Sequence, residues 1–294
     1  MHFVEAKSLL TRYNGMNLYR GCAHGCVYCD SRSTCYRFTH PFEDIEVKQN
    51  APELLEDILQ KRRKKIVIST GSMSDPYQPC ERELKLTRRC LELIDRYGFG
   101  ASVITKSDLV LRDLELFDRI NRNAKSVLQM TLTVADDAMS RILEPNVCTT
   151  TRRYEVLKEF QRLQIPTVVW MTPILPFLTD TEENLRSILA YCFDAGVTGI
   201  VSFGAGLTLR DGNREYFYRA LDRHFPGLSD AYRRQYGSAY EASSPNAESL
   251  MRIFHAECEK HGVRHDPDDC FRYIAALPEQ SDQLSLFDTE REAR

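Results

Sequence analysis

Short apolar runs alternate with amphipathic stretches over most of the chain, and this alternation limits the possible folds more than any other feature. Ile66–Thr70, Ala101–Thr105, Val127–Val134, Thr167–Met171 and Gly199–Phe203 read as strands buried on both faces. Between them, apolar residues recur at helical spacing: Leu84, Leu86, Cys90, Leu91 and Ile94, then Leu114, Phe117 and Ile120, then Tyr154, Leu157 and Phe160, then Leu185, Ile188, Leu189 and Cys192. Glycines at 98 and 196 end two of these runs. An earlier helix over 52–63 carries Leu54, Leu55, Ile58 and Leu59, and Asn17–Arg20 reads as a first strand. Six strand–helix units imply a parallel α/β sheet, either doubly wound or rolled into a partial barrel. In both, ligands gather at the carboxyl ends of the strands.

Directly after the first expected strand stand Cys22, Cys26 and Cys29, separated by three and then two residues. Thiolates suit soft metals and iron–sulfur clusters. Three of them can hold three corners of a 4Fe–4S cubane and leave the fourth iron open for another ligand. A structural zinc site wants four protein ligands, usually as two short pairs, and His24 is poorly placed inside so tight a loop to complete one. Three ligands with an open position point to chemistry at the metal rather than plain electron transfer.

The spacing Cys22-x3-Cys26-x2-Cys29, with Tyr28 before the last cysteine, resembles the radical S-adenosylmethionine (SAM) superfamily. That resemblance implies a partial (β/α)6 TIM-like barrel, one 4Fe–4S cluster, SAM bound at the open iron, and Tyr28 near the adenine. It also implies an electron donor such as a flavodoxin or ferredoxin. The strand-end rule adds Gly71, Ser72, Ser74 and Asp75 after the second strand, Lys106 after the third and Thr131 on the fourth as SAM-site candidates. Glycine permits close backbone approach there, and lysine suits a carboxylate or ribose oxygen.

Asn17–Cys22, Ser74–Pro79, Thr105–Ser107, Glu144–Pro145 and Pro173–Pro176 are similar to the spore photoproduct lyase-like branch of that superfamily. Where the lyases carry a hydrogen-donating cysteine, two residues before the Ser-Asp pair, this chain has Ser72. An O–H bond is too strong to donate readily to a carbon radical, so Cys80, Tyr77 and Cys35 are the alternative donors.

The expected organisation is a core over 1–210, a mostly helical extension over 211–277 and a polar, disordered tail over 278–294. The extension is rich in aromatic residues (Tyr216, Phe217, Tyr218, Tyr232, Tyr236, Tyr240), for which core packing is expected, with base stacking the other use. Within the tail, Gln283-Leu284-Ser285-Leu286-Phe287 is an apolar island with no folding reason to exist. It is similar to the motif by which bacterial replication and repair proteins dock on the DNA sliding clamp. Gln283 would be its polar anchor, and Leu284, Leu286 and Phe287 its apolar contacts.

A net charge of −3 neither demands nor excludes a nucleic-acid partner. Ten cysteines without an export signal fit a reducing cytoplasm, and no apolar run reaches the ~20 residues of a membrane span. The expected function is a radical SAM enzyme acting on DNA. The alternatives are modification of a peptide, tRNA or small molecule, and a cluster-containing clamp-binding module without turnover.

Overall fold

The structure is a computed structural model and describes residues 1–278. Gln283, Leu284, Leu286 and Phe287 therefore lie outside the described residues. Six parallel strands form the central sheet in chain order: β1 (Gly15–Met16), β2 (Val67–Thr70), β3 (Gly100–Thr105), β4 (Ser126–Thr131), β5 (Thr167–Trp170) and β6 (Gly199–Val201). Each neighbour is reached by a helical crossover, the principal ones being Ala51–Lys61, Leu86–Arg96, Leu114–Asn123, Thr150–Arg162 and Glu182–Asp194. This is the open partial TIM-like barrel, with helices on its convex face.

The side-chain alternation of the strands separates two environments. Ala101, Val103, Leu128, Met130, Val169 and Ile200 face outward and form one large core with the crossover helices. Val127, Val168 and Val201 face inward and meet Cys270 and Ile274 of the helix Pro267–Ala275. That helix therefore occupies the lower half of the barrel's concavity. A side chain at Gly199 would meet the Cys270 Sγ at 3.0 Å. Above this apolar plug, Trp170 Nε1 donates to Gln129 Oε1 at 2.7 Å and Gln129 Nε2 donates to Ser102 Oγ at 2.7 Å. This polar string is a floor across the barrel, and the space above it is open.

One expectation about strands requires correction. The first barrel strand is Gly15–Met16 rather than Asn17–Arg20. Tyr19–Arg20 pairs antiparallel with Glu46–Lys48, which also pairs parallel with His2–Val4, making a separate three-stranded sheet. The 30–50 connection thus contains a strand that its weak periodicity did not announce. The 211–277 extension is mostly helical, as expected; one short strand in it, Glu241–Ser243, pairs antiparallel with Gly206–Thr208, and its first two helices are Asn213–His224 and Leu228–Tyr236.

Those helices bury Phe217, Tyr218, Leu221 and Tyr232 against Cys26, Val27 and Tyr28 of the cysteine loop. The Tyr232 hydroxyl donates to the Pro176 carbonyl at 2.7 Å. These rings are core, so they are not available to stack on bases. Among the described residues, no helix is long and apolar enough to cross a membrane.

Candidate active site

At the carboxyl ends of the strands lies a cavity of about 570 Å³. Cys22, Cys26, Cys29 and Tyr28 border it on one side, Gly71–Asp75 and Lys106 on another, and Thr131, Trp170 and Phe203 on a third. All ten residues expected from the sequence to hold metal or SAM line this one space. The three alternative hydrogen donors do not. Tyr77 is buried, and its hydroxyl donates to Asp113 Oδ2 at 2.9 Å within a network that includes Arg112 and Glu81. Cys80 packs against the outer core beside that network. Cys35 is exposed, 3.5 Å from an Arg210 guanidinium nitrogen, and also lies outside the cavity.

The cysteine loop is held by backbone and side-chain bonds from four directions. Cys22 N–H donates to the Phe42 carbonyl at 3.2 Å and Val27 N–H to the Leu143 carbonyl at 2.9 Å. Ala23 N–H donates to Gln78 Oε1 at 3.1 Å, and Ser74 Oγ donates to the Gly21 carbonyl at 2.6 Å. Asn146 closes the far side, its N–H donating to the His24 carbonyl at 3.1 Å and its amide to the Ala23 carbonyl at 2.9 Å. A loop this fully bonded presents its thiols with little conformational freedom, as a preorganised ligand set requires.

His24 is not a fourth ligand. Its ring is buried and its Nδ1 stands 3.3 Å from Asp75 Oδ2. Asp75 also accepts from Thr105 Oγ1 at 2.7 Å, from Tyr77 N–H at 2.8 Å and from Lys106 N–H at 2.8 Å. Burial alone would raise the Asp75 carboxyl, but the His24 imidazolium and these donors bring it down to about 2. The same pairing overrides burial at His24 and raises its imidazole. Burial would likewise raise the Cys22 thiol, yet its hydrogen bond with His24 brings it below its ordinary value. Cys26 and Cys29 stay raised, chiefly by burial. His24 thus supplies positive charge next to the thiol trio.

Behind the loop lies a buried charge pair absent from the sequence-based site. Arg153 Nη1 meets Glu144 Oε2 at 2.6 Å, with both side chains fully buried. The Tyr28 hydroxyl donates to the other Glu144 oxygen. Arg153 also donates to the carbonyls of Cys148, at 3.0 Å, and Thr131, at 3.1 Å. Burial would disfavour the Lys106 ammonium, but Cys26 and Glu144 nearby hold its pKa above the ordinary value. Lys106 is therefore a cation poised 5.9 Å over the Tyr28 ring, on the cavity wall.

The residues fit a cluster: three thiols on one tightly bonded loop border one cavity, a ligand set for three corners of a cubane with the fourth left to the open space. Gly71 has φ +104°, and a Cβ there would stand 2.0 Å from the Ile104 carbonyl oxygen. The backbone is thus bare where the cavity wall turns. We expect Gly71→Ala to distort this wall and weaken SAM binding by at least about tenfold, a change of ~1.4 kcal/mol. Equilibrium dialysis with SAM on cluster-loaded protein measures it.

The model of the Radical SAM superfamily matches residues 16–192. An uncharacterized protein of Mycobacterium tuberculosis, Rv2578c, is 31% identical over 238 residues, 79% of this chain and 69% of that protein. An uncharacterized protein of Methanocaldococcus jannaschii, MJ0683, is 33% identical over 171 residues, covering 57% of this chain and 62% of that one. Among solved structures, a mutant of spore photoproduct lyase superposes with a TM-score of 0.62 at 14% identity, over 90% of this chain and 80% of the lyase. Another, with bound AdoMet and dinucleoside spore photoproduct, gives 0.59 at 13% identity, over 85% and 74%. With the barrel, the cysteine loop and the strand-end cavity in place, these matches establish that the chain belongs to the radical SAM superfamily and is a radical SAM enzyme using a 4Fe–4S cluster and SAM.

Proposed function

We propose that Cys22, Cys26 and Cys29 hold the cluster and that the cavity admits SAM together with one nucleotide unit of a DNA substrate. The observation that carries the SAM reading is the convergence of the three thiols, the bare backbone at Gly71 and the Lys106 ammonium on one cavity. When bound, the reduced cluster supplies the electron that cleaves SAM to methionine and a 5′-deoxyadenosyl radical. The chain's own residues do the rest. Lys106 and the Ser72 hydroxyl offer polar partners for the methionine and ribose oxygens, while Ser74 braces the cysteine loop. Tyr28, its hydroxyl committed to Glu144, offers a ring face for the adenine. The Ser102–Gln129–Trp170 floor and the helix beneath it close the lower barrel, so a radical formed above is reached only from the mouth.

Two features support a DNA substrate. The lyase of the same fold binds AdoMet and a dinucleoside photoproduct in its solved structure. In this chain, Gln283–Phe287 matches a clamp-docking pentapeptide, which would raise the enzyme's local concentration at DNA without adding catalytic contacts. Modification of a peptide, tRNA or small molecule is the second reading, since Phe203 is 62% exposed and presents an unspecialised apolar face at the mouth. A clamp-binding module without turnover is disfavoured, because such a module has no use for a SAM pocket.

The test is anaerobic reconstitution, reduction, and product analysis with irradiated and unirradiated DNA, alongside binding to the purified clamp by the native protein and by a Leu286→Ala/Phe287→Ala variant. We expect DNA-dependent consumption or cycling of SAM, and clamp binding that the double variant loses. SAM cleavage unaffected by any DNA, together with no clamp binding, would exclude the DNA reading and leave the radical chemistry standing.

A further inference from the structure

A second cluster of metal-competent side chains stands away from the cavity, in the three-stranded sheet. The register of that sheet places His2 directly beside Glu46, and His40 reaches the pair from the loop that precedes the Glu46–Lys48 strand. One ligand atom from each of the three lies within 4.8 Å of the other two. The two imidazoles meet edge to face at 4.8 Å. His40 and Glu46 are 15% and 19% exposed, so this is a recess and not a surface scatter of charges.

The hydrogen bonding around the two rings is what a ligand set requires. His40 Nδ1 lies 3.0 Å from the Pro41 carbonyl oxygen. A carbonyl only accepts, so Nδ1 carries the proton. The other nitrogen, Nε2, is buried and has no hydrogen-bond partner. It faces Glu46 Oε2 at 3.8 Å, too far for a hydrogen bond. In the neutral ring, two lone-pair atoms thus look at each other across a gap that a cation would fill. His2 shows the same division of labour. Its Nδ1 is 3.1 Å from Asp44 Oδ2, which leaves Nε2 uncommitted. Metal-ligating histidines characteristically spend one nitrogen on a carboxylate or carbonyl and the other on the metal.

We propose that His2, His40 and Glu46 bind a divalent first-row transition ion, with Asp44 and the Pro41 carbonyl orienting the two imidazoles and water completing the coordination. Two imidazoles and one carboxylate suit zinc and its neighbours better than magnesium or calcium. The ion would tie the His2–Val4 strand to the loop before Glu46. That loop carries Phe42, whose carbonyl receives the Cys22 N–H, and Phe38, which packs edge-on against both His40 and Phe42. Occupancy therefore stiffens the wall behind the cluster loop without contributing a ligand to the cluster.

The experiment uses anaerobic cluster-loaded protein, so that the three thiols are occupied, and titrates Zn2+ at pH 7.5 while counting zinc and iron per chain. We expect one zinc per chain beyond the iron. Binding should weaken at least about a hundredfold in His40→Gln and about tenfold in Asp44→Asn, which removes no ligand but the carboxylate that orients His2 and pairs with the Met1 amino group. Zinc should also raise the melting temperature of the native protein and leave that of His40→Gln unmoved. Should His40→Gln fail to fold, His2→Gln, altered at a more exposed position, gives the same comparison. Absence of zinc binding in the native protein, or binding that survives both histidine substitutions, overturns the proposal.

Discussion

Cys26→Ala should give a folded protein that holds little iron and forms no 5′-deoxyadenosine from SAM under reducing conditions. The side chain removed is small and packs among Val27, Leu143 and Phe217, so the packing loss is about 1 kcal/mol. The chemical loss is far larger. Two thiolates cannot hold three corners of a cubane, and without the cluster there is no path for the electron. The expected pattern is therefore a melting temperature for the apoprotein within a few degrees of the native apoprotein, with iron content and SAM cleavage at background. SAM cleavage persisting in a cluster-free Cys26→Ala protein would mean that the loop is not the reactive centre. Cys80→Ala is the matched control: it lies outside the cavity and should retain activity.

The second large effect is on stability. Arg153→Met leaves the Glu144 carboxylate fully buried, with the Tyr28 hydroxyl as its remaining strong partner. Breaking a buried ion pair from one side costs about 3–5 kcal/mol, against a total stability of order 5–15 kcal/mol for a domain. The sign at Glu144 follows from its surroundings. Burial raises its carboxyl, Arg153 and Lys106 bring it below its ordinary value, and removing Arg153 lets burial dominate. Glu144→Gln combined with Arg153→Met should recover part of the loss, because the buried carboxylate left without its guanidinium is then gone. Urea denaturation of the apoproteins reads both. A loss under 1 kcal/mol in Arg153→Met would show that the pair is not stabilising the strand-end platform. The cysteine loop should also suffer, since Leu143 and Asn146 on either side of Glu144 hold Val27, Ala23 and His24.

The strands that carry the barrel were readable because a strand covered on both faces must be apolar throughout, and Val67–Thr70, Ser126–Thr131 and Thr167–Trp170 are close to that. Gly15–Met16 was not readable: two residues, one of them glycine, make no pattern. The pattern in the neighbouring Leu18-Tyr19 belongs to another sheet. Gly71, Asp75, Lys106 and Thr131 line one cavity because position along a parallel strand decides which residues share a mouth, whatever their separation in the chain. Tyr77 and Cys80, offered as hydrogen donors without a positional argument, fall outside that mouth, since Asp75 accepts the Tyr77 N–H and the chain turns there toward Asp113 and Glu81. Glu144 and Arg153 were invisible as a pair. A buried salt bridge is defined by what surrounds it, and nothing in a nine-residue spacing announces that both ends are dry. Nor does the amphipathic pattern of Pro267–Ala275 reveal that its apolar side enters the barrel instead of covering it.

The placement of that last helix bears on how the chain matures during synthesis. Cys270 and Ile274 pack against β4, β5 and β6, and the chain reaches them by way of Arg264, whose carbonyl accepts the Ile200 N–H at the sheet's edge. Until the ribosome has released residues near 275, Val127, Val168 and Val201 line a hollow that is wet. A nascent chain thus carries an open hollow until this helix is made, and its barrel matures by long-range contacts between β4–β6 and Pro267–Ala275.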